Sequence, residues 1–132
     1  MIASFDIPPQ GDPAGRPTIL VVEDEGLVRL DIASYLRSRD FRVLEAGNAH
    51  EAIQLLIADH SIDLVFSDIS MPGGFNGIDL ARWVRDKRSR VQVLLTSGTA
   101  NNVQLASVEN VVVQKPYHPS DVEMSIRRLL GG

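Results

Sequence analysis

The chain has 132 residues, 44% of them hydrophobic and 23% charged, with a net charge of −4. That length holds one domain with a real core and excludes barrel enzymes and two-lobed enzymes with a cleft between domains. Seventeen acidic against thirteen basic residues argue against a general nucleic-acid binder, and the lack of cysteine excludes disulfides, zinc ribbons, iron–sulfur clusters and thiol catalysis.

No apolar run approaches the ~20 residues that span a bilayer, so no membrane segment is expected. The first basic residue is Arg16, which leaves no secretory signal pattern; a cytoplasmic protein is the default. Residues 1–17 hold four prolines and two glycines and read as a flexible leader; residues 18–132 form the domain.

From Thr18 the pattern becomes regular. Short apolar runs rich in β-branched residues occur at Thr18–Val22, Arg42–Ala46, Ile62–Phe66, Val91–Leu95 and Val111–Val113. Continuous rather than alternating apolarity fits strands covered on both faces, as in parallel sheets. Between them lie helical patterns. Gly26–Arg39 turns Val28, Ile32, Tyr35 and Leu36 inward. Asn48–His60 places Ala49, Ala52, Ile53, Leu56 and Ile57 on one face, with Asn48 as cap and Glu51 behind it. Gly77–Lys87 buries Leu80, Ala81 and Val84. Ser120–Leu130 turns Val122, Ile126, Leu129 and Leu130 inward, with Ser120 and Glu123 as a capping box. The stretch 99–110 is less regular: Val103, Leu105, Ala106 and Val108 support a short helix that Asn101 and Asn102 weaken. Strands and helices alternate, which implies an α/β fold with a parallel sheet and right-handed crossovers.

In such open sheets ligands bind at the carboxyl ends of the strands. Here the first run ends in Glu23-Asp24-Glu25, the third in Ser67-Asp68, the fourth in Thr96-Ser97-Gly98 and the fifth in Gln114-Lys115-Pro116. Two unit charges ~4 Å apart interact by ~1 kcal/mol in water and ~4 kcal/mol at an effective dielectric of ~20. Clustered carboxylates therefore need a cation or a shared proton. Oxygen ligands suit a hard divalent ion such as magnesium, Lys115 adds charge for an anion, and Ser97 can donate to a phosphoryl oxygen. Singly, each residue reads as a turn, cap or surface group; their coincidence at one edge is the signal. His50, His60 and His118 share no metal spacing and read as surface residues, and Tyr35 and Trp83 as helix packing.

Taken together, Leu20-Val21-Val22-Glu23-Asp24-Glu25, Asp68-Ile69-Ser70-Met71-Pro72, Thr96-Ser97-Gly98 and Lys115-Pro116-Tyr117 resemble the receiver domain of two-component response regulators. The resemblance runs from Thr18 to about Leu130. It implies a doubly wound five-stranded parallel sheet of flavodoxin-like order 2-1-3-4-5. It implies that Asp68 accepts a phosphoryl group from a phosphohistidine on a sensor histidine kinase or histidine phosphotransfer protein. It further implies that Glu23, Asp24, Asp68 and the backbone carbonyl of Ser70 hold Mg²⁺, that Lys115 pairs with phosphoryl oxygens, and that a fourth-strand hydroxyl bonds the phosphate and shifts. Thr96 and Ser97 compete for that last role; counting along the strand, with Gly98 in the small position, favours Ser97. Partners follow by the same resemblance: the donor, a downstream protein target or relay, and a homodimer through the fourth and fifth helices. The domain promotes its own phosphorylation and dephosphorylation and is otherwise not an enzyme.

Four departures from the commonest pattern are visible. Beyond the contest between Thr96 and Ser97, the loop Gly73-Gly74-Phe75-Asn76-Gly77 counts one residue longer than usual. Ser97 to Lys115 is short, which predicts a truncated or irregular fourth helix. Val112 stands where an aromatic switch residue is often found. With nothing periodic after the last helix, a stand-alone receiver is expected; a receiver excised from a hybrid kinase presents the same sequence. A phosphorylation-independent interaction module stays open. A haloacid-dehalogenase-type phosphotransferase would want an acid where Ser70 stands, and an FMN binder would want Ser, Thr or Gly where Glu23-Asp24-Glu25 stands.

Overall fold

The computed structural model describes residues 11–131. Five strands alternate with five helices: β1 (Thr18–Val22), α1 (Gly26–Ser38), β2 (Arg42–Ala46), α2 (Ala49–Ala58), β3 (Leu64–Asp68), α3 (Gly77–Lys87), β4 (Gln92–Ser97), α4 (Ala100–Ala106), β5 (Val111–Gln114) and α5 (Pro119–Leu129). The strands form one parallel sheet in the order β2-β1-β3-β4-β5. This is the flavodoxin-like arrangement that the motifs imply. No helix among the described residues is long and apolar enough to cross a membrane.

Every residue of β1 and β3 is buried, whereas β2 and β5 at the edges are partly open. Alternation divides the central side chains between two cores. Ile19, Val21, Leu64, Phe66 and Leu94 pack against Ile32, Ala33 and Leu36 of α1 and Val122 and Ile126 of α5. Leu20, Val22 and Val65 pack on the other face against Ala49, Ala52 and Leu56 of α2 and Leu80 and Val84 of α3. A smaller cluster on that second face joins Ile69, Ala81, Leu95 and Ala106.

Four sequence expectations need correction. Ile57 is exposed, because a helix drifts past its buried stripe and α2 ends at Ala58. β3 and β4 run further than their apolar runs and take in Ser67, Asp68, Thr96 and Ser97, all buried. α5 begins at Pro119 behind His118, and no side chain caps it. The proposed Ser120–Glu123 box does not form, since Glu123 turns instead to α1: it accepts the Tyr35 hydroxyl at 2.9 Å and the Arg39 Nε at 3.1 Å, and on its own helix the Arg127 Nε at 3.0 Å. Burial alone would raise the Glu123 pKa, but these donors hold it below the usual glutamate value. A capping box does exist on α3, where Asn76 and Asp79 exchange side-chain-to-backbone bonds of 3.0 and 2.9 Å.

Of the two expectations for the fourth helix, truncated or irregular, the first holds: it is short and continuous. α4 has seven residues and buries only Ala106, with Leu105 and Val108 exposed. Trp83 packs in the second core as expected, and Tyr35 packs beside the first while its hydroxyl holds Glu123. Within the leader, the Asp12 carboxylate accepts the backbone N–H of Ala14 and of Arg16 at 3.1 and 3.2 Å and pairs with the Arg16 guanidinium. The expectation of flexibility for residues 1–10 lies outside the described residues.

Candidate functional site

Parallel pairing points all five carboxyl ends the same way, so the polar strand ends meet at one edge. Asp68, the last residue of β3, stands in register with Thr96 of β4, and Val22 of β1 stands opposite Ser67, which brings Glu23 up beside Asp68. Side-chain alternation puts Glu23, Asp68 and Lys115 on the α1–α5 face and Ser97 on the other. Carboxylate oxygens of Glu23, Asp24 and Asp68 lie within 4.8 Å of one another. Lys115 Nζ sits 2.9 Å from Asp68 Oδ2 and 3.4 Å from Glu23 Oε1. The opposite oxygens are held by backbone: the Ser70 N–H donates to Asp68 Oδ1 at 3.3 Å and the Glu25 N–H to Glu23 Oε2 at 3.1 Å.

Glu23 is 4% exposed and Asp68 8%. Burial pushes the Glu23 pKa up, and repulsion from Asp68 adds to the shift while Lys115 opposes it. Burial would pull the Lys115 pKa down, but its hydrogen bond and charge contact with Asp68 outweigh that and hold it above the usual lysine value. One ammonium faces three carboxylates, so the cluster retains negative charge. The donors are all hard oxygens with one exposed member, Asp24, open to solvent. That set suits a hard divalent cation that keeps part of its water shell.

The two hydroxyls of β4 differ in their surroundings. Thr96 is 2% exposed, and its Oγ1 is the buried side-chain atom with no hydrogen-bond partner among the described residues. Ser97 Oγ accepts the Thr99 N–H at 3.2 Å and lies 3.4 Å from Thr99 Oγ1. Thr99 in turn caps α4 by accepting the Asn102 N–H at 3.3 Å. Ser97 is therefore wired to the start of α4. Asn102 Nδ2 also donates to Ser70 Oγ at 3.3 Å, so α4 touches the loop after Asp68 a second time.

Gly77 opens α3 directly under the backbone of Asp68 and Ile69. A Cβ there would stand 2.3 Å from the Asp68 carbonyl oxygen and 2.8 Å from Ile69 Cα, so only glycine allows this approach. Of the residues that the sequence singles out, Glu23, Asp24, Asp68 and Lys115 come together here and Ser70, Thr96 and Ser97 stand beside them, whereas Thr99, Asn102 and Gly77 are not singled out by it. The glycine stood within a visible turn-rich loop, but its reason is spatial and leaves no trace in spacing. None of the three histidines joins the acidic group: His50 stacks on Phe75 at 5.9 Å, and His118 precedes α5.

Comparison with known proteins agrees with this edge. Transcriptional regulatory protein ResD of Bacillus subtilis is 33% identical over 123 residues, which cover 90% of this chain and 50% of ResD. Transcriptional regulatory protein PdtaR of Mycobacterium tuberculosis is 39% identical over 125 residues, covering 89% of this chain and 60% of that protein. The chain thus spans about half to three fifths of these relatives' length. Among solved structures, response regulator protein TrrA from Thermotoga maritima, in complex with Mg²⁺-BeF, superposes with a TM-score of 0.78 and 26% identity, covering 86% of this chain and 98% of that one. The family model described as the response regulator receiver domain matches residues 19–127. A match over almost the whole described domain leaves one assignment: the chain belongs to the response regulator receiver domain family.

Proposed function

We propose that Asp68 accepts a phosphoryl group from a phosphohistidine of a sensor histidine kinase or histidine phosphotransfer protein, in a Mg²⁺-dependent reaction. The observation that carries this reading is the 2.9 Å contact of Lys115 with Asp68 inside the three-carboxylate group. A carboxylate attacks phosphorus poorly because an incoming phosphoryl group is itself anionic. Lys115 offsets that repulsion and offers its ammonium to the phosphoryl oxygens as charge spreads over them. As the P–O bond to Asp68 forms, the P–N bond of the donor imidazole breaks, and the product is an acyl phosphate. Glu23, Asp24, Asp68 and the Ser70 carbonyl are the proposed holders of magnesium, which supplies further positive charge against the same oxygens. TrrA, whose structure contains Mg²⁺-BeF, supports the choice of ion.

The new group adds about −1.5 to −2 of charge, assuming that it ionises like other phosphorylated side chains. Ser97 is the hydroxyl we take to answer it: its side chain leaves β4 on the face opposite Asp68, but it ends the strand, and its bond to Thr99 would carry a shift to the cap of α4. Signalling then passes to a downstream protein or relay in the cytoplasm, and the chain turns over no outside substrate.

Intact mass after incubation with acetyl phosphate tests the reading. One added phosphoryl group is expected in the wild type with Mg²⁺, and none without Mg²⁺ or in Asp68→Ala. Full uptake by Asp68→Ala would show that another residue is the acceptor.

A further inference from the structure

Arg29 lies in the first turns of α1, outside the group of residues just described, yet it bonds the backbone of one of its members. Its Nη1 donates to the backbone carbonyl of Glu23 at 2.7 Å. Its Nε meets Glu45 Oε1 of β2 at 3.3 Å, and Glu45 Oε2 is held in turn by Arg37 Nη1 at 3.0 Å. The Arg29 side chain is only 26% exposed. Two anchors, the Glu23 carbonyl and Glu45, fix the plane of this fork, and with it the peptide that joins Glu23 to Asp24.

That peptide is where the chain leaves β1. The Glu23 N–H still bonds the Ala46 carbonyl at 3.1 Å, as the strand ladder requires. The Glu23 carbonyl lies beyond the β1 pairs, and Arg29 is the donor it finds. The orientation of this one carbonyl decides how the Glu23 and Asp24 side chains diverge toward the shared centre.

We infer that Arg29 is a positioning residue for the proposed Mg²⁺ site: by clamping the Glu23 carbonyl to β2 it presets the Glu23 and Asp24 carboxylates for a cation. The inference rests on the metal reading above. It has a sign that separates it from simple electrostatics. Arg29 carries positive charge near an acidic site, so charge alone predicts that its removal tightens Mg²⁺ binding. Loss of positioning predicts the reverse, since outer partners of metal ligands typically contribute 10–100-fold in affinity.

The experiment is a Mg²⁺ titration of the full chain by calorimetry, with unfolding midpoints measured separately without metal. Arg29→Met keeps the length and packing of the side chain and removes its donors. About tenfold weaker binding than wild type is expected, whatever happens to the midpoint. Glu45→Gln, which leaves the bond to the Glu23 carbonyl available, is expected to bind within about threefold of wild type. If Arg29→Met does not fold, Arg29→Lys serves, because one ammonium cannot span both the Glu23 carbonyl and Glu45; its binding is likewise expected to weaken. Equal or tighter binding by the folded variant overturns the positioning role. No binding by the wild type overturns the metal reading, and the inference with it.

Discussion

The two helices that flank β5 are held in opposite ways. α5 buries Val122, Glu123 and Ile126 and is knotted to α1 through Glu123, Tyr35 and Arg39, with Arg127 over the Phe41 ring at 4.6 Å and bonded to the Arg39 carbonyl at 2.8 Å. α4 buries Ala106 alone and is tied to the rest of the edge by single bonds from Asn102 and Thr99. The lesson is mechanical. Under the proposed function, a pull on Ser97 would meet little resistance in α4, while α5 stays held, so displacement would be channelled to the fourth helix.

The contrast can be broken most sharply from its rigid side. Ile126→Ala empties a fully buried site between α5 and the sheet and is expected to cost about 2–5 kcal/mol, whereas Leu105→Ala on α4, at 61% exposure, should stay within ~0.5 kcal/mol. Urea unfolding of the two variants checks this, and comparable losses would mean that α4 is packed as firmly as α5. Gly77→Ala comes next, because its Cβ meets backbone on the side of the sheet where α4 also lies. A loss of about 1–3 kcal/mol is expected, with phosphoryl uptake slowed through the displaced Asp68 peptide.

Smaller effects sharpen the same comparison. Glu123→Gln weakens the knot by about 1 kcal/mol, discounted because Arg39 and Arg127 are half exposed. The folded pKa of Glu123 is depressed, so its stabilisation is complete above the unfolded-state pKa and is lost as pH falls through the folded one. The gap in unfolding midpoint between wild type and Glu123→Gln should therefore close in acid and persist at neutral pH; a constant gap would refute the charge-assisted role. Thr96→Val is expected to stabilise the fold slightly, by up to about 1 kcal/mol, since it removes a buried hydroxyl that has no partner. A loss of stability on thermal melting would show that the hydroxyl is satisfied in solution.

Much of this was legible in the chain itself. Five apolar runs place five strands, and the polar residues that end them place the pocket. β3 and β4 were read two residues short at their functional ends because Ser67, Asp68, Thr96 and Ser97 are polar yet buried. The features that local pattern could not show are all contacts between distant segments. Glu123 fits a capping box by spacing, but Tyr35 and Arg39, brought by the fold, together with Arg127 one turn along α5, outcompete one backbone N–H. Arg29 reads as an ordinary helix-surface arginine until β2 is placed beside β1. Gly77 is decided by a backbone that arrives from the strand before it.

The pairing of Asp68 with Thr96 has a consequence for errors in folding. A strand presents its side chains alternately, so a slip of β3 by one residue carries Asp68 to the opposite face and brings Ser67 or Ile69 into its place. The pocket would then hold a hydroxyl or a hydrocarbon opposite Lys115, and nothing intermediate exists between that and the native arrangement. Under the proposed function, a misaligned molecule would lack the acceptor altogether rather than react weakly.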